Sequence, residues 1–164
     1  MLTDKKVMGV GFQLIIRSGT VSRAVQDAVM KGLADVATQY TDRVKRNISL
    51  DDHSLKELRA LGYPYRRGAP ADTLHDDDRL VHEQSGELKR SIRKGRVEET
   101  TSRRFTVYVS SEDPKMPYLI YGTSRMRPRR FHEKAYEDIK SVYWKPLTDR
   151  LAKVNYRMTE YTRD

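Results

Sequence analysis

Hydrophobic positions along the chain change period several times, and each change marks an element. Val10, Phe12, Leu14 and Ile16 alternate with Gly11, Gln13, Ile15 and Arg17. A period of two predicts a half-buried strand. Ser18, Gly19 and Thr20 make a turn, and Thr20 or Ser22 is placed to cap a helix beyond it. From Val21 to about Ile48, Val25, Val29, Leu33, Val36 and Tyr40 recur at spacings of three and four, one apolar stripe on the longest helix. Ala28 and Gly32 flank the stripe and would let a sheet approach closely. Arg43 falls on the same stripe, which predicts final turns that run past the core.

Beyond that helix the pattern shortens. Ser54-Leu55-Lys56-Glu57 reads as a capping box, with Leu55, Leu58 and Leu61 inside a short helix and Gly62 as its stop. Residues 66–84 hold Gly68, Pro70 and Asp76-Asp77-Asp78 without periodicity, and are expected to be a flexible loop. Leu88 and Ile92 lie on one side of a short helical or bent segment. Residues 96–100 and 104–110 predict a hairpin around Thr101 and Ser102, with Phe105, Val107 and Val109 facing one way. Asp113-Pro114 breaks it, and Tyr118 to Tyr121 form a short apolar run of strand character. Phe131, Ala135, Ile139 and Val142 mark a further helix, which Pro146 kinks or ends. Leu147, Leu151, Val154 and Met158 continue a helical stripe into a C-terminal extension, 147–164. The order predicts an α+β fold: a small, mainly antiparallel sheet packed by a long N-terminal helix and a C-terminal helix, with a long variable loop. Residues 1–164 read as a single domain.

Composition adds direction to this scaffold. The chain has 164 residues, 34% charged and 37% hydrophobic, with no cysteine, so disulfides and thiolate metal sites are excluded. No apolar run is long enough for a signal peptide or a membrane span, which predicts action in the cytosol or in a particle assembled there. The formal net charge is +9, and the stretch from Ser85 to Arg130 holds twelve Lys or Arg against five Asp or Glu. A basic face of that kind suits nucleic acid, an acidic protein surface or an anionic membrane. The membrane is the weakest of the three, because neither long helix pairs an apolar face with a dense basic one.

Catalytic patterns are missing. Gly9 and Gly11 precede a strand instead of joining a strand to a helix, so they are no phosphate loop. His53, His75, His82 and His132 are scattered without metal-ligand spacing and read as surface residues. Three adjacent carboxylates at Asp76 to Asp78 cannot converge on one ion within a regular element. No nucleophile elbow, Walker loop or placed acid–base pair occurs. The expectation is a protein that is not an enzyme and takes no cofactor and no metal.

One stretch concentrates what remains. Gly122, Thr123 and Ser124 break the apolar run, and Arg125, Arg127, Arg129 and Arg130 follow around Pro128, which fixes φ. Arg125-Met126-Arg127-Pro128 is similar to the Arg-Gly-Arg-Pro core of minor-groove hooks, but Met126 stands where such a hook needs glycine. A basic nucleic-acid-binding module is therefore the alternative reading. The run Tyr121-Gly122-Thr123-Ser124-Arg125-Met126-Arg127-Pro128-Arg129-Arg130-Phe131, with Ala135 four residues on, resembles the Gly-Thr-Ser-x-Met-x-x-x-Pro-Phe signature of the tailed-phage neck, or tail-completion, proteins of lambdoid and related phages. Ser54-Leu55-x-x-Leu58-x-x-x-Gly62-Tyr63-Pro64-Tyr65 and Gln84-Ser85-Gly86-x-Leu88 with Ile92 also resemble that family. Arg130 stands where the family commonly has proline, and Tyr63 where histidine is frequent.

The resemblance implies a structural virion protein at the head–tail junction, assembled in the host cytoplasm. It implies a ring, commonly of six copies, stacked between head-closure or connector proteins and the tail-terminator or tail tube. Genomic DNA passes through the channel. Tyr121 to Phe131 are then the interface with a neighbour, Gly122 to Ser124 the fixed turn, and Arg125 to Arg130 the assembly arm. Phe131 becomes the anchor pinning the arm to the last helix, so that Phe131→Ala should loosen the arm more than it lowers stability.

Overall fold

The computed structural model describes residues 8–16, 21–49, 81, 86–101, 103–124, 128–142 and 144–154. Its elements run β1 (Met8–Ile15), α1 (Arg23–Asn47), α2 (Glu87–Ser91), β2 (Arg93–Lys94), β3 (Glu98–Thr101), β4 (Arg104–Ser111), α3 (Met116–Tyr121), α4 (Phe131–Ile139) and α5 (Lys145–Lys153). The fold is α+β. The capping box at Ser54, the 66–84 loop apart from Val81, and Met158 lie outside the described residues; the Val81 N–H donates to the Asn47 carbonyl at 2.8 Å.

β4 is the centre of a four-stranded antiparallel sheet, with β1 on one side and β2 and β3 on the other. β1 stays in register with β4 over eight pairs, from Met8 opposite Ser111 to Ile15 opposite Arg104. Its alternation is the one the pattern predicted: Phe12 and Ile16 are buried, while Gly11, Gln13 and Ile15 are exposed. β3 and β4 form the predicted hairpin, and Phe105, Val107 and Val109 are fully buried on the core side. On the outer face Gly11 lies opposite Tyr108, and a Cβ there would sit 2.9 Å from the tyrosine Cε1. The ring of Tyr108 occupies the space that the glycine leaves.

α1 begins at Ser22, whose hydroxyl accepts the Val25 N–H at 3.3 Å as an N-cap. The predicted stripe, Val25, Val29, Leu33, Val36 and Tyr40, is buried throughout. Two expectations about this helix are corrected. Gly32 admits a helix and not a sheet, since a Cβ there would lie 2.8 Å from the Cα of Leu147 in α5. The last turns do not leave the core, because Val44, Asn47 and Ile48 are buried and Arg43 pairs with Asp138 of α4 at 3.3 Å. An arginine on the stripe is tolerated because its long side chain reaches a carboxylate at the rim. α1 thus packs against β4 and also against α4 and α5, which makes it the central member of the fold.

The C-terminal half departs from the pattern in one further respect. Phe131, Ala135 and Ile139 are buried as expected, but α4 ends at Ile139 and Val142 is 49% exposed. Pro146 does not end that helix. It occupies the first turn of α5, where its missing N–H has no intrahelical partner to lose. Leu147 and Leu151 of α5 are then fully buried against α1, and Arg150 holds Asp35 at 2.7 Å.

Candidate assembly site at residues 116 to 132

Tyr118 to Tyr121 are helical, not extended, and the cause is local. Asp113 accepts the Lys115 N–H through Oδ1 at 2.8 Å and the Met116 N–H through its carbonyl at 3.0 Å, which starts a turn. Pro117 then sits in the first turn of α3. Met116 and Leu119, three apart, go to the core, while Tyr118 and Tyr121, also three apart, are 58% and 69% exposed. The turn is fastened to the sheet: the Asp113 N–H donates to Ser111 Oγ at 3.1 Å, and Ser111 shares a 2.6 Å hydrogen bond with Ser91.

Gly122 ends the helix at φ 72° and ψ −174°, a region that side-chain-bearing residues rarely enter. Thr123 and Ser124 follow on the surface, and Arg125, Met126 and Arg127 lie outside the described residues. Pro128 is exposed. At Arg129 the chain returns, and its N–H donates to the Leu119 carbonyl at 2.6 Å. Arg129 is buried and so is no part of an exposed arm. Arg130 is exposed, with Nη1 3.7 Å from Glu133.

Phe131 and His132 then fix the loop to α1. Phe131 is fully buried, and its carbonyl accepts from Asn47 Nδ2 at 3.0 Å. It is a core residue, so truncating it acts on stability first, contrary to the expectation of a mere anchor. His132 is no surface histidine either. Its Nδ1 lies 2.8 Å from the Tyr40 hydroxyl, and that hydroxyl also reaches the His132 carbonyl at 3.4 Å. With the tyrosine O–H given to the carbonyl, Nδ1–H donates to the tyrosine oxygen and Nε2 is left as a bare acceptor. This arrangement leaves no buried N–H without an acceptor. Among the described residues Nε2 has no hydrogen-bond partner, and the rings of Phe131 and Tyr40 flank the imidazole, at centroid distances of 4.5 and 6.0 Å. Burial lowers the His132 pKa to about 4 and raises that of Tyr40, so both are neutral near pH 7.

The loop is therefore closed at both ends and presents Tyr121, Thr123, Ser124, Pro128 and Arg130 at the surface, with Gly122 half-buried at its base. Tyr118 joins this surface although the sequence pattern did not place it there; its spacing of three from Tyr121 would have done so had the run been read as a helix. Among the described residues no three histidine or acidic side chains come together as a metal site, and no helix is long and apolar enough to cross a membrane. No known protein family, curated protein or solved structure matches the chain.

Proposed function

We propose that the chain is a structural protein of a tailed-phage neck, in which copies close into a ring of six between the head connector and the tail, leaving a channel for the genome. The reading rests on the resemblance of Tyr121 to Phe131 to the neck signature. The observation that carries it in the fold is the closure of that segment, with Leu119 bonded to Arg129 at its neck and Phe131 in the core at its exit. A loop held at both ends loses less entropy when it docks than a free one. A ring also needs a heterologous contact, one patch on each copy meeting a different patch on the next. The exposed Tyr118, Tyr121 and Arg130 have the residue types that dominate such contacts. In this role the protein is no enzyme, needs no cofactor, and meets head-closure or connector proteins on one side and tail-terminator or tail-tube proteins on the other, within the virion. Negative-stain images and light scattering of purified protein, together with a head–tail joining assay, test it. A strict monomer that also fails to join heads to tails would falsify it.

The alternative, a nucleic-acid-binding module, is favoured by the exposure of Arg93, Arg96, Arg103 and Arg104 around the β3–β4 hairpin and the strand before it. It requires DNA affinity that falls with salt, by roughly one slope unit per phosphate neutralised. Binding that is absent, or indifferent to salt, removes this reading.

A further inference from the structure

The sheet has two edges, and they are unlike. On one side, β2 and β3 carry Arg93, Lys94, Glu98 and Glu99, and their pairing with β4 is irregular: Lys94 and Glu98 are four positions apart where their partners Val109 and Thr106 are three apart, and a second shift follows at Glu99. Charge and irregularity both discourage an edge from taking another strand. On the other side, β1 runs for eight residues with no charge, no proline and no break in register. Ile16 N–H donates to the Arg103 carbonyl at 2.8 Å, so the even-numbered residues turn their main-chain groups to β4. By the two-residue repeat, Gly9, Gly11, Gln13 and Ile15 turn theirs outward. Those outward groups meet no partner among the described residues. Ile15 is 46% exposed, and on the core side Val10 and Leu14 stay only half-buried.

We infer that β1 is the edge through which two copies of this chain pair, β1 against β1 and antiparallel, so that the sheet continues across a twofold axis. The strand is complementary to itself. With Phe12 opposite Phe12 of the partner subunit, Gly9 faces Ile15 of the partner subunit and Gly11 faces Gln13 of the partner subunit. Each bulky outer residue meets a glycine, beside the Tyr108 ring that already fills the space over Gly11. On the core side Val10 faces Leu14 of the partner subunit, and each half-buried pair gains cover from the other copy. The residues whose main-chain groups point outward also face one another in this register, as a hydrogen-bonded antiparallel ladder requires. Charge permits the contact as well. Each copy is +9, yet β1 and α3 are the two described elements that carry no charged residue. The pairing belongs to the free protein and does not rest on the neck reading, because a twofold contact closes at two copies and a ring does not.

Sedimentation equilibrium of the full chain tests this. The expected result is a monomer–dimer equilibrium that tightens as salt rises, since screening relieves the repulsion between two positive copies. Gln13→Lys together with Ile15→Lys, at exposed positions, should weaken dimerisation by at least about tenfold, with the unfolding midpoint unchanged at concentrations where the parent is monomeric. The chain has no cysteine, which allows a register test. A mixture of Gly11→Cys and Gln13→Cys proteins should cross-link on oxidation, because paired Cα atoms about 5.5 Å apart are within disulfide reach, whereas Gln13→Cys alone should not. Should Gly11→Cys fail to fold against Tyr108, the lysine pair still decides. A chain monomeric at every concentration overturns the inference. So does a dimer that ignores the lysine pair, or one in which Gln13→Cys alone cross-links as fast as the mixture.

Discussion

Gly32→Ala sets two known effects against each other at one position. Gly32 is buried in the interior of α1, where alanine is intrinsically better by about 1 kcal/mol. Against that gain stands the approach of α5: the new Cβ would lie 2.6 Å from Leu147 Cδ1, 2.8 Å from its Cα and 3.1 Å from its Cβ. Carbon atoms in contact normally rest about 3.5–4.0 Å apart. The clash with Cδ1 can be relieved by rotating the leucine, but Cα belongs to the backbone and cannot rotate away. Relief there requires α5 to retreat by roughly 1 Å, taking Leu147 and Leu151 partly out of the core and stretching Arg150 from Asp35. Overpacking costs about 1–3 kcal/mol, and a collision with backbone falls in the upper part of that range, about 2–3 kcal/mol, so after the helix-propensity gain the net expectation is a loss of about 1–2 kcal/mol. For a chain of this length that lowers the melting temperature by a few degrees, at about 2–4 °C for each kcal/mol. Thermal and urea unfolding followed by circular dichroism read it directly. The double variant Gly32→Ala with Leu147→Ala, compared with Leu147→Ala alone, sharpens the test: if only the leucine tip collided, the glycine change would there show the full helix-propensity gain, and the clash with the α5 backbone predicts that it will not. A Gly32→Ala protein as stable as the parent, or more so, refutes the claim that this glycine sets the α1–α5 distance.

Three further outcomes are expected. Phe131→Ala removes a fully buried ring and should cost about 3–5 kcal/mol in urea unfolding, a large share of an ordinary domain's stability. Arg130→Glu should shift stability by no more than about 0.5 kcal/mol, because the side chain is exposed and its ion pair with Glu133 is a surface one, yet it should reduce head–tail joining in the assay above. His132 should make stability depend on pH with a definite sign: its pKa falls from 6.5 in the unfolded chain to about 4 in the fold, so the unfolded state binds the extra proton. The associated stability is complete above about pH 6.5 and fades as pH drops towards 4, by about 3 kcal/mol in all. His132→Phe should flatten that part of the stability–pH curve, and a parent curve already flat between pH 6.5 and 5 would count against the buried neutral imidazole.

How much of this was legible in the sequence depended on whether a period existed to be read. β1, β4 and the buried stripe of α1 have long, clean repeats, and period alone placed them. The six residues of α3 have none, and an apolar run that short does not distinguish a strand from a helix. What decides it is Asp113, two residues before Lys115, whose carboxylate and carbonyl start the turn. Tertiary burial was illegible where it concerned polar side chains. Nothing in Arg125 to Arg130 marks Arg129 as the buried one, and a histidine after Phe131 reads as surface until Tyr40, ninety-two positions away, is brought to its Nδ1. Gly32 reads from the sequence as a close-approach site, but its neighbour belongs to a helix 115 residues later in sequence, which local pattern cannot supply.

These misreadings share a cause that bears on the candidate site. In this segment the run expected as a strand is a helix and the residue expected as a mere anchor is core, and both are held by α1 or by elements packed around it. Tyr40 and Asn47 lie seven positions apart, two turns on one face of α1, and they hold His132 and the Phe131 carbonyl respectively. The exit of the loop is thus fixed by side chains and its entrance by main chain, through Leu119 and Arg129. That division separates positioning from contact. Changes at Tyr40 or Asn47 alter where the loop leaves the core without touching its surface, and changes at Tyr121 or Arg130 alter the surface without moving the exit. Joining that fails in both sets, with stability lost only in the first, is the pattern a docking loop requires. Stability loss alone, with joining intact in the surface set, would leave the loop as a connection between two helices.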